Sequence, residues 1–279
     1  MRARYIRFNE KCHYSGIERL HEGNRMKRVG RKNYARKYFE IDKTRYLERD
    51  EWAKKRISDV LSMIEPLKKE DLVIDLGCGI GTFAIECAGR NCNVSGIDYS
   101  KVALDIAREL LNSRGLQNKV SLINANVDFL PLLDSIAGKV ICADLVEHLY
   151  PDQFELMLQE VARTLKNNGE LIIYTPNPQN ITSVLPVQLK RIARVSLSWL
   201  GRNQGQNAEV KWIEEIGRKY DYLHVDLKKA NDIARSLTSK NFKVEVIRFT
   251  RTALPIFGRI PFIKSWFGGH VLIKATILK

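Results

Sequence analysis

The chain has 279 residues, of which 44% are apolar, and it carries a formal net charge of +14. This length fits one large α/β domain with additions, or one and a half domains, and the apolar fraction is sufficient for a full core. No uncharged apolar stretch reaches the roughly 18 residues of a membrane span, and the charged N-terminus is unlike a signal peptide. The five cysteines form no CxxC pair, which favours reduced thiols in a cytoplasmic protein.

The positive charge is concentrated at the N-terminus. Residues 1–37 hold 12 basic and 3 acidic residues, whereas residues 61–184 hold 10 basic and 16 acidic residues. A basic extension indicates an acidic partner, such as nucleic acid, an anionic membrane or a phosphorylated substrate. A basic surface that contacts only solvent would explain the same pattern. We therefore divide the chain into a basic arm and helical cap, 1–60, and a core domain, 61–279, with an insert at about 177–226.

Short apolar runs alternate with helical patterns along the core, which predicts a mostly parallel sheet with helices on both faces. A helix over 44–64 is expected to cover this sheet before its first strand. The predicted strands are 72–76, 93–97, 120–124, 139–143, 170–175, 243–248 and 270–277. The other predicted helices are 82–89, 101–114, 153–166, with Asp152 as its N-cap, and 227–240.

A glycine-rich loop follows the first predicted strand, where residues 73–83 read VIDLGCGIGTF. Glycines at this spacing allow a sharp turn and let the backbone approach a ligand closely. A second apolar run ends at Asp98, about 20 residues after the loop, where nucleotide-binding folds place a carboxylate on ribose hydroxyls. In such sheets the ligand binds at the carboxyl ends of the strands, and these residues lie there.

The stretch VIDLGCGIGTFAIECA resembles motif I of class I S-adenosylmethionine (SAM) methyltransferases, and GIDYSKVALDIARELL resembles the second-strand acid and helix of that family. The resemblance continues through ANVDFLPL and ADLVEHL to LKNNGELIIYTPNP. It implies a seven-stranded Rossmann-like sheet, SAM as the cofactor and methyl transfer as the reaction. No His/Cys cluster shows metal-ligand spacing, so no metal site is expected.

The resemblance also implies roles for individual residues. The loop residues should lie under the amino-acid part of SAM, Asp98 should accept from both ribose hydroxyls, and Tyr99 should either stack on adenine or serve packing. Asn126 stands where the family often has an acid that binds the adenine amino group, and Val127 should flank the ring. Asp144 and Leu145 should lie near the methionine moiety. The full cofactor set is Asp75, Gly77, Cys78, Gly79, Gly81, Asp98, Tyr99, Asn126, Val127, Asp144 and Leu145.

Two histidines are candidate catalytic bases. His148 follows the fourth strand, and His224 precedes the helix that leads to strand six, a position that faces the substrate cleft in the family. Histidine is the side chain suited to accept a proton near pH 7. A Glu-His pair at this position is also common as a purely structural feature, so both interpretations of residues 147–148 stay open.

The absence of three motifs narrows the range of possible acceptors. The chain has no Asn/Asp-Pro-Pro-aromatic sequence after strand four, which is typical of methyltransferases that act on amino groups of nucleic acids. It has no Pro-Cys dipeptide, which is typical of cytosine C5 methyltransferases, and no visible double-glutamate loop, which is typical of protein arginine methyltransferases. The expected acceptor is a small apolar or amphipathic molecule, such as a quinone precursor, a lipid or a glycan-type compound. The alternatives are an RNA methyltransferase that uses the basic arm and a non-catalytic SAM-binding protein.

Two segments outside the motif regions are amphipathic. Residues 185–200 place apolar side chains on one helical face and Lys190, Arg191 and Arg194 elsewhere, and residues 254–267 also mix aromatic and basic side chains. Such segments either lie at an anionic membrane interface or pack on the domain as a lid over the acceptor. The sequence does not predict the oligomeric state.

Overall fold

The computed structural model describes residues 36–180, 224–252 and 268–279. The helices are α1 (Arg36–Glu48), α2 (Glu51–Ile64), α3 (Thr82–Gly89), α4 (Lys101–Ser113), α5 (Pro151–Thr164) and α6 (Ala230–Ser239), with a short 3-10 turn at Val146–His148. The strands are β1 (Leu72–Leu76), β2 (Asn93–Asp98), β3 (Val120–Asn124), β4 (Ala137–Ala143), β5 (Leu165–Pro176), β6 (Phe242–Thr252) and β7 (Gly268–Ile277).

These strands form one seven-stranded sheet in the order β3-β2-β1-β4-β5-β7-β6. The first five strands pair in parallel, and β7 is antiparallel to both of its neighbours, β5 and β6. The predicted Rossmann-like fold is confirmed. The strand order reverses between β1 and β4, and open α/β sheets bind ligands in the crevice at such a point.

Apolar side chains fill both faces of the sheet. On one face, α1 to α4 contribute residues such as Val60, Phe83 and Ile106 to a buried cluster. On the other face, α5 and α6 contribute residues such as Met157 and Ile233. Burial on both faces explains why the parallel strands read as continuous apolar runs instead of alternating patterns. This packing fixes the strand ends that carry the candidate site.

The helical cap differs from the prediction. One helix was expected over 44–64, but α1 ends at Glu48 and α2 begins at Glu51. Arg49 adopts a positive φ of 51°, and the Asp50 side chain accepts from the Ala53 N–H at 2.5 Å. An N-cap aspartate of this kind starts a new helix. The apolar spacing therefore predicted α2 but did not reveal the break before it.

Two other helix boundaries also differ. Asp152 is not the cap of α5, because the helix has Tyr150 at its N-cap and begins at Pro151, a residue favoured at the first helical position. The segment 167–169, predicted as the helix stop, lies within β5, where the register shifts and Asn168 has a φ of 59°. Helix α6 begins at Ala230, so residues 224–229, partly predicted as helix, precede it as a separate segment.

Several expectations fall outside the described residues. They concern most of the basic arm, the amphipathic segment 185–200 and the second amphipathic segment 254–267. Among the residues that the structure describes, no helix has the length and apolarity needed to cross a membrane.

Candidate functional site

The glycine loop connects β1 to α3 and is fixed to the neighbouring strand. The N–H groups of Gly77 and Cys78 both donate to the carbonyl oxygen of Ile97, at 2.8 and 3.0 Å. Gly77, Gly79 and Gly81 have φ angles of 69, 52 and 81°, in a region that glycine adopts without a steric penalty. The buried Cys78 side chain lies below this loop, and burial raises the pKa of its thiol well above the usual range. Cys78 is therefore a packing residue of the loop and no reactive thiolate.

The three loop glycines have different surroundings. A Cβ atom at Gly77 would lie 2.9 Å from the Leu145 side chain, and one at Gly81 would lie 3.2 Å from the Cβ of Ala107. At Gly79 no heavy atom lies within 4 Å of such a Cβ. The outer two glycines therefore permit packing within the protein, whereas Gly79 borders open space in which a ligand can approach the backbone.

Asp75 links β1 to the start of α3. Its side chain is 2% exposed, and one carboxylate oxygen accepts from the Ala84 N–H at 2.8 Å. Burial raises the pKa of Asp75 to about 7, although this hydrogen bond and the charge of Arg56 oppose the shift. The contact that the structure shows is thus structural: Asp75 holds the helix N-terminus behind the glycine loop.

Asp98 lies at the end of β2 and faces the same loop. Its two carboxylate oxygens accept from the Gly79 N–H at 2.9 Å and from the Ser100 N–H at 2.7 Å. Burial raises the pKa of Asp98, while these hydrogen bonds and the charge of His148 lower it. Each carboxylate oxygen can accept a further hydrogen bond. Asp98 is therefore held in position with acceptor capacity left for a ligand diol.

The end of β3 lies beside Asp98. The Asn124 side chain donates to the Asp98 carbonyl oxygen at 3.0 Å, and the Ala125 N–H donates to the same oxygen at 3.2 Å. Asn126 follows as a partly buried residue and Val127 as a buried one, while Tyr99 packs against the core cluster on the α1–α4 face. The residues predicted to surround adenine thus come together around the ends of β2 and β3.

Asp144 follows β4 and binds an arginine that the sequence did not reveal. It has a positive φ of 52°, its N–H donates to the Tyr174 carbonyl oxygen at 2.8 Å, and its carboxylate accepts from Arg56 Nε at 2.5 Å. The guanidinium group of Arg56 lies over the Phe83 ring, 4.7 Å from its centroid. Arg56 therefore connects α2 to the first turn of α3 and to the end of β4.

The first cap helix also reaches this region. Tyr38, on α1, is partly buried. Burial, and then the negative charges of Asp42, Asp144 and Glu147, raise the pKa of its phenol well above the usual range. Asp42 lies on α1 itself, but Asp144 and Glu147 follow β4, so α1 lies near the carboxyl end of that strand. The helical cap therefore forms part of the wall around the candidate site.

His148 and His224 are brought together although 75 residues separate them in the chain. Their ring centroids are 5.2 Å apart, with an angle of 53° between the ring planes. The Val225 and Asp226 N–H groups donate to the Glu147 carbonyl oxygen at 2.9 and 3.3 Å. These backbone bonds hold His224 against the 3-10 turn that carries His148. The two independently predicted candidates thus form a single pair.

Glu147 completes a cluster with this pair. Its side chain is 1% exposed and accepts from the Thr175 hydroxyl at 3.0 Å. Burial, and then the charge of Asp144, raise the pKa of Glu147 to about 8. One ligand atom each from Glu147, His148 and His224 lie within 4.8 Å of one another, so the cluster could hold a metal ion. Sequence spacing did not indicate this group, because His224 reaches it only through the fold.

Arg56, Tyr38 and Thr175 are site residues that the sequence did not identify. Arg56 lies in the run Lys54-Lys55-Arg56, and helical spacing alone cannot tell which of these side chains faces the site. Tyr38 lies outside the predicted helix, and Thr175 is an ordinary strand residue. The signal that identifies them is the tertiary arrangement, in which they surround residues 144–148.

Comparison with known proteins identifies a family to which part of the chain is similar. Residues 73–169 match the family model described as a methyltransferase domain. These are the residues that carry β1 to β4, the glycine loop, Asp98 and the 3-10 turn. The chain contains a class I S-adenosylmethionine-dependent methyltransferase domain.

Relatives of this methyltransferase domain differ in how much of their length they share with the chain. An uncharacterized protein from Methanocaldococcus jannaschii is 33% identical over 47% of this chain, and the match spans 52% of that protein. The ubiquinone biosynthesis O-methyltransferase of Rickettsia felis is 21% identical over 74% of this chain and 87% of the relative. The chain thus spans about half of the first relative and most of the second.

Solved structures show the same fold. The geranyl diphosphate C-methyltransferase of Streptomyces coelicolor, in complex with Mg²⁺, geranyl diphosphate and S-adenosyl-L-homocysteine, superposes with a TM-score of 0.56 at 16% identity. The superposition covers 83% of this chain and 82% of that one. At this identity the likeness concerns the fold, and it does not transfer the acceptor.

The methyltransferase domain has the features that SAM requires. SAM carries a ribose diol, an adenine ring and a charged amino acid, and the matching features are a fixed carboxylate, a polar strand end and open space at a glycine. Asp98 offers acceptor capacity beside the backbone of Gly79, and a Cβ on Gly79 would enter that open space. The residues present therefore fit the cofactor of the family.

Proposed function

We propose that this chain transfers the methyl group of SAM to a small apolar or amphipathic acceptor, with a hydroxyl group of a quinone precursor as the first candidate. The observation that carries the proposal is the cluster of Glu147, His148 and His224, whose ligand atoms lie within 4.8 Å of one another. Burial raises the pKa of Asp98, and the charge of the nearby His148 opposes this shift. A proton-accepting pair therefore borders the proposed cofactor site.

The proposed cofactor contacts come from residues at the carboxyl ends of the strands. Asp98 would accept from the ribose hydroxyls, and Asn126 with Val127 would border adenine, with Tyr99 stacking or packing beside them. The backbone of Gly79 would pass under the amino-acid part, because its surroundings leave that space open. Asp75 would act through its hold on α3, 2.8 Å from the Ala84 N–H.

Arg56 is the proposed partner of the cofactor carboxylate. Its guanidinium group lies 4.7 Å from the centroid of the Phe83 ring, in the first turn after the glycine loop. Its pKa is raised because the charges of Asp144 and Asp42 outweigh the effect of burial, so the group is a permanent cation. A guanidinium group can bind a second carboxylate while it keeps the first.

The residues of the chain then have a simple chemical task. When bound, SAM supplies a methyl group on a positively charged sulfur, which is already electrophilic. The protein must align the acceptor and remove its proton, and alignment alone contributes strongly to rate. We assign proton removal to the pair of His148 and His224, whose rings are 5.2 Å apart. Glu147 has a pKa raised to about 8, and its ionised carboxylate would stabilise the cationic form of the histidine pair.

The acceptor class is supported by one relative. The Rickettsia felis protein is named for ubiquinone biosynthesis. Its alignment covers 74% of this chain and therefore extends well beyond the domain match. The geranyl diphosphate enzyme provides a contrasting class, an acceptor with a diphosphate. Beside the histidines, the raised pKa values of Glu147 and Tyr38 keep both groups neutral near pH 7, and the charge of Asp144 is paired with that of Arg56. A neutral hydroxyl compound suits them better.

The test is methyl transfer from SAM labelled in its methyl group. The acceptors would be hydroxylated benzoquinone precursors, glycolipids, a prenyl diphosphate and RNA. We expect label in the hydroxylated aromatic compound. Exchange of His148→Gln should lower turnover by about 10²–10⁴-fold, the usual contribution of a general base. Assays with and without EDTA distinguish proton transfer from metal-assisted chemistry. Transfer only to RNA, or unchanged turnover in His148→Gln, would reject this assignment.

Contact with an anionic membrane is a further proposal that rests on the sequence alone. Residues 185–200, outside the described part of the chain, carry Lys190, Arg191 and Arg194 on an amphipathic pattern. Cosedimentation with phosphatidylglycerol vesicles, lost when these three residues become Glu, is the expected result. Absence of vesicle binding in the parent protein would leave the lid interpretation.

A further inference from the structure

Lys228 occupies an unusual position for a lysine. It lies in the segment 224–229 before α6 and is 9% exposed, and it is the only buried lysine among the residues that the structure describes. Lysine is almost never fully buried unless its charge is paired. Its neighbour Lys229 is exposed. A specific set of contacts must therefore compensate for the burial of this ammonium group.

These contacts lie on the 3-10 turn that carries His148. Lys228 Nζ donates to the carbonyl oxygens of Val146 at 3.1 Å and Leu149 at 2.9 Å. It also forms an ion pair with Asp226 at 2.9 Å. The Asp226 carbonyl oxygen, at 3.4 Å, is a further acceptor, so all three N–H bonds of the ammonium group have oxygen partners. Val146 is the first residue of the turn and Leu149 is the residue that follows it, so the ammonium group binds both ends of the turn.

The backbone of the same segment binds the same turn. The Val225 and Asp226 N–H groups donate to the Glu147 carbonyl oxygen at 2.9 and 3.3 Å. The segment 224–228 therefore binds the carbonyl groups of Val146, Glu147 and Leu149. His224 is the next residue before these bonds, and its ring lies 5.2 Å from that of His148. The bonds on the turn determine where His224 lies.

We propose that Lys228 is a positioning residue, which holds His224 against His148 by binding the carbonyl groups on either side of Glu147. Apolar residues of similar volume in place of a buried ion pair are often equally stable or more stable. A lysine is needed only if the geometry of the turn and the segment matters. The inference rests on the proposed role of the histidine pair and assigns the part that sets its geometry.

The test compares Lys228→Met with Lys229→Met, which removes the exposed neighbouring charge. An NMR experiment on histidine-labelled protein detects magnetisation transfer between the imidazole protons of residues 148 and 224. We expect this signal in the parent and in Lys229→Met and its loss in Lys228→Met. Affinity for S-adenosyl-L-homocysteine should change less than about twofold in Lys228→Met, because the glycine loop and Asp98 are untouched. A twofold change corresponds to about 0.4 kcal/mol.

Turnover supplies a second readout. With an acceptor in hand, kcat should fall at least about tenfold in Lys228→Met while KM for SAM stays unchanged, as for an interaction that affects the chemical step. A folded Lys228→Met protein that keeps the imidazole signal overturns the proposal, and so does an equal loss in Lys229→Met. The signal does not depend on methyl transfer, so an inactive parent protein would count against the proposed function alone.

Lys228→Gln covers the case in which the methionine variant fails to fold. The amide keeps N–H donors without the charge, and we expect it to fold with a weakened imidazole signal. A signal of parental intensity in this variant contradicts the proposal. If neither variant folds, Lys228 serves the stability of the fold and the positioning role is rejected.

Discussion

The two halves of the site are encoded in different ways. The cofactor half lies at the ends of β1, β2 and β3, and its residues come from the continuous stretch 75–127. The proposed acceptor half lies beyond β4 and combines Tyr38 from the cap with residues 146–148 and the segment 224–228, while the pair of Arg56 and Asp144 lies between the two halves. Segments that are far apart in the chain thus meet at this pair and in the acceptor half.

This difference separates what a motif specifies from what tertiary packing specifies. The glycine loop needs only its own backbone angles and the carbonyl of Ile97, so a local pattern is enough to define it. The histidine pair needs the segment 224–228 to bind the 3-10 turn, and no local pattern defines that contact. We therefore expect variants in the first half to affect cofactor affinity and variants in the second half to affect the chemical step.

The largest expected effect is on the cofactor half. Gly79→Val should abolish binding of S-adenosyl-L-homocysteine, because the new side chain would enter the open space beside the loop. Gly115→Val is a matched control: Gly115 also has a positive φ, of 66°, and open space around its Cβ position. Each variant carries a comparable backbone strain, so only the location differs. Calorimetry measures the affinities.

Equal binding by the Gly79 and Gly115 variants would show that the open space is not the cofactor site. A loss in both would indicate that backbone strain alone, which costs roughly 1–2 kcal/mol per left-handed residue, explains the effect. Only a loss confined to Gly79→Val supports the division into two halves.

Asp98→Ala should have a smaller effect on the same half. The loss of hydrogen bonds to a charged group costs about 1.5–3 kcal/mol, which corresponds to roughly 10–150-fold weaker binding of S-adenosyl-L-homocysteine. Asp105→Ala, on the exposed side of α4, is the control, since the Asp105 carboxylate forms an exposed pair with Arg108. If Asp98→Ala binds S-adenosyl-L-homocysteine as tightly as Asp105→Ala does, Asp98 does not bind the ribose.

The sequence was sufficient for the elements that depend on local order. Strands β1 and β3 begin and end at the predicted residues, and β2 and α4 differ by one residue at one end. It was insufficient where a tertiary contact decides. The break at Arg49 depends on the cap formed by Asp50, and the early end of α5 depends on the pairing of Leu165 with Ala137. Arg56 and Lys228 were missed for the same reason, because burial and not residue type distinguishes them from neighbouring cations.

The smallest expected effect concerns stability and tests the acceptor half. Burial raises the pKa of Glu147 to about 8 in the folded protein, whereas the unfolded value is about 4.3. The folded state therefore binds the proton more tightly, and this contribution to stability is lost as pH rises towards 8. Between pH 5.5 and 6.5, the free energy of unfolding of the parent protein should fall by about 1 kcal/mol more than that of Glu147→Gln.

Urea unfolding at the two pH values measures this slope. Glu51→Gln, at a side chain that is 91% exposed, is the control and should keep the parental slope. An identical pH dependence in Glu147→Gln and in the parent protein would mean that Glu147 is ionised in the folded state near pH 6. The carboxyl group beside the histidines would then lack the environment described above.

The central claim is that the glycine loop and Asp98 form a SAM site, and calorimetric titration of the purified protein with S-adenosyl-L-homocysteine tests it most directly. We predict saturable binding at one site per chain that excess NAD does not displace, because the loop spacing differs from that of dinucleotide-binding enzymes. An absence of binding heat with S-adenosyl-L-homocysteine, or tight binding of NAD in its place, would contradict the account.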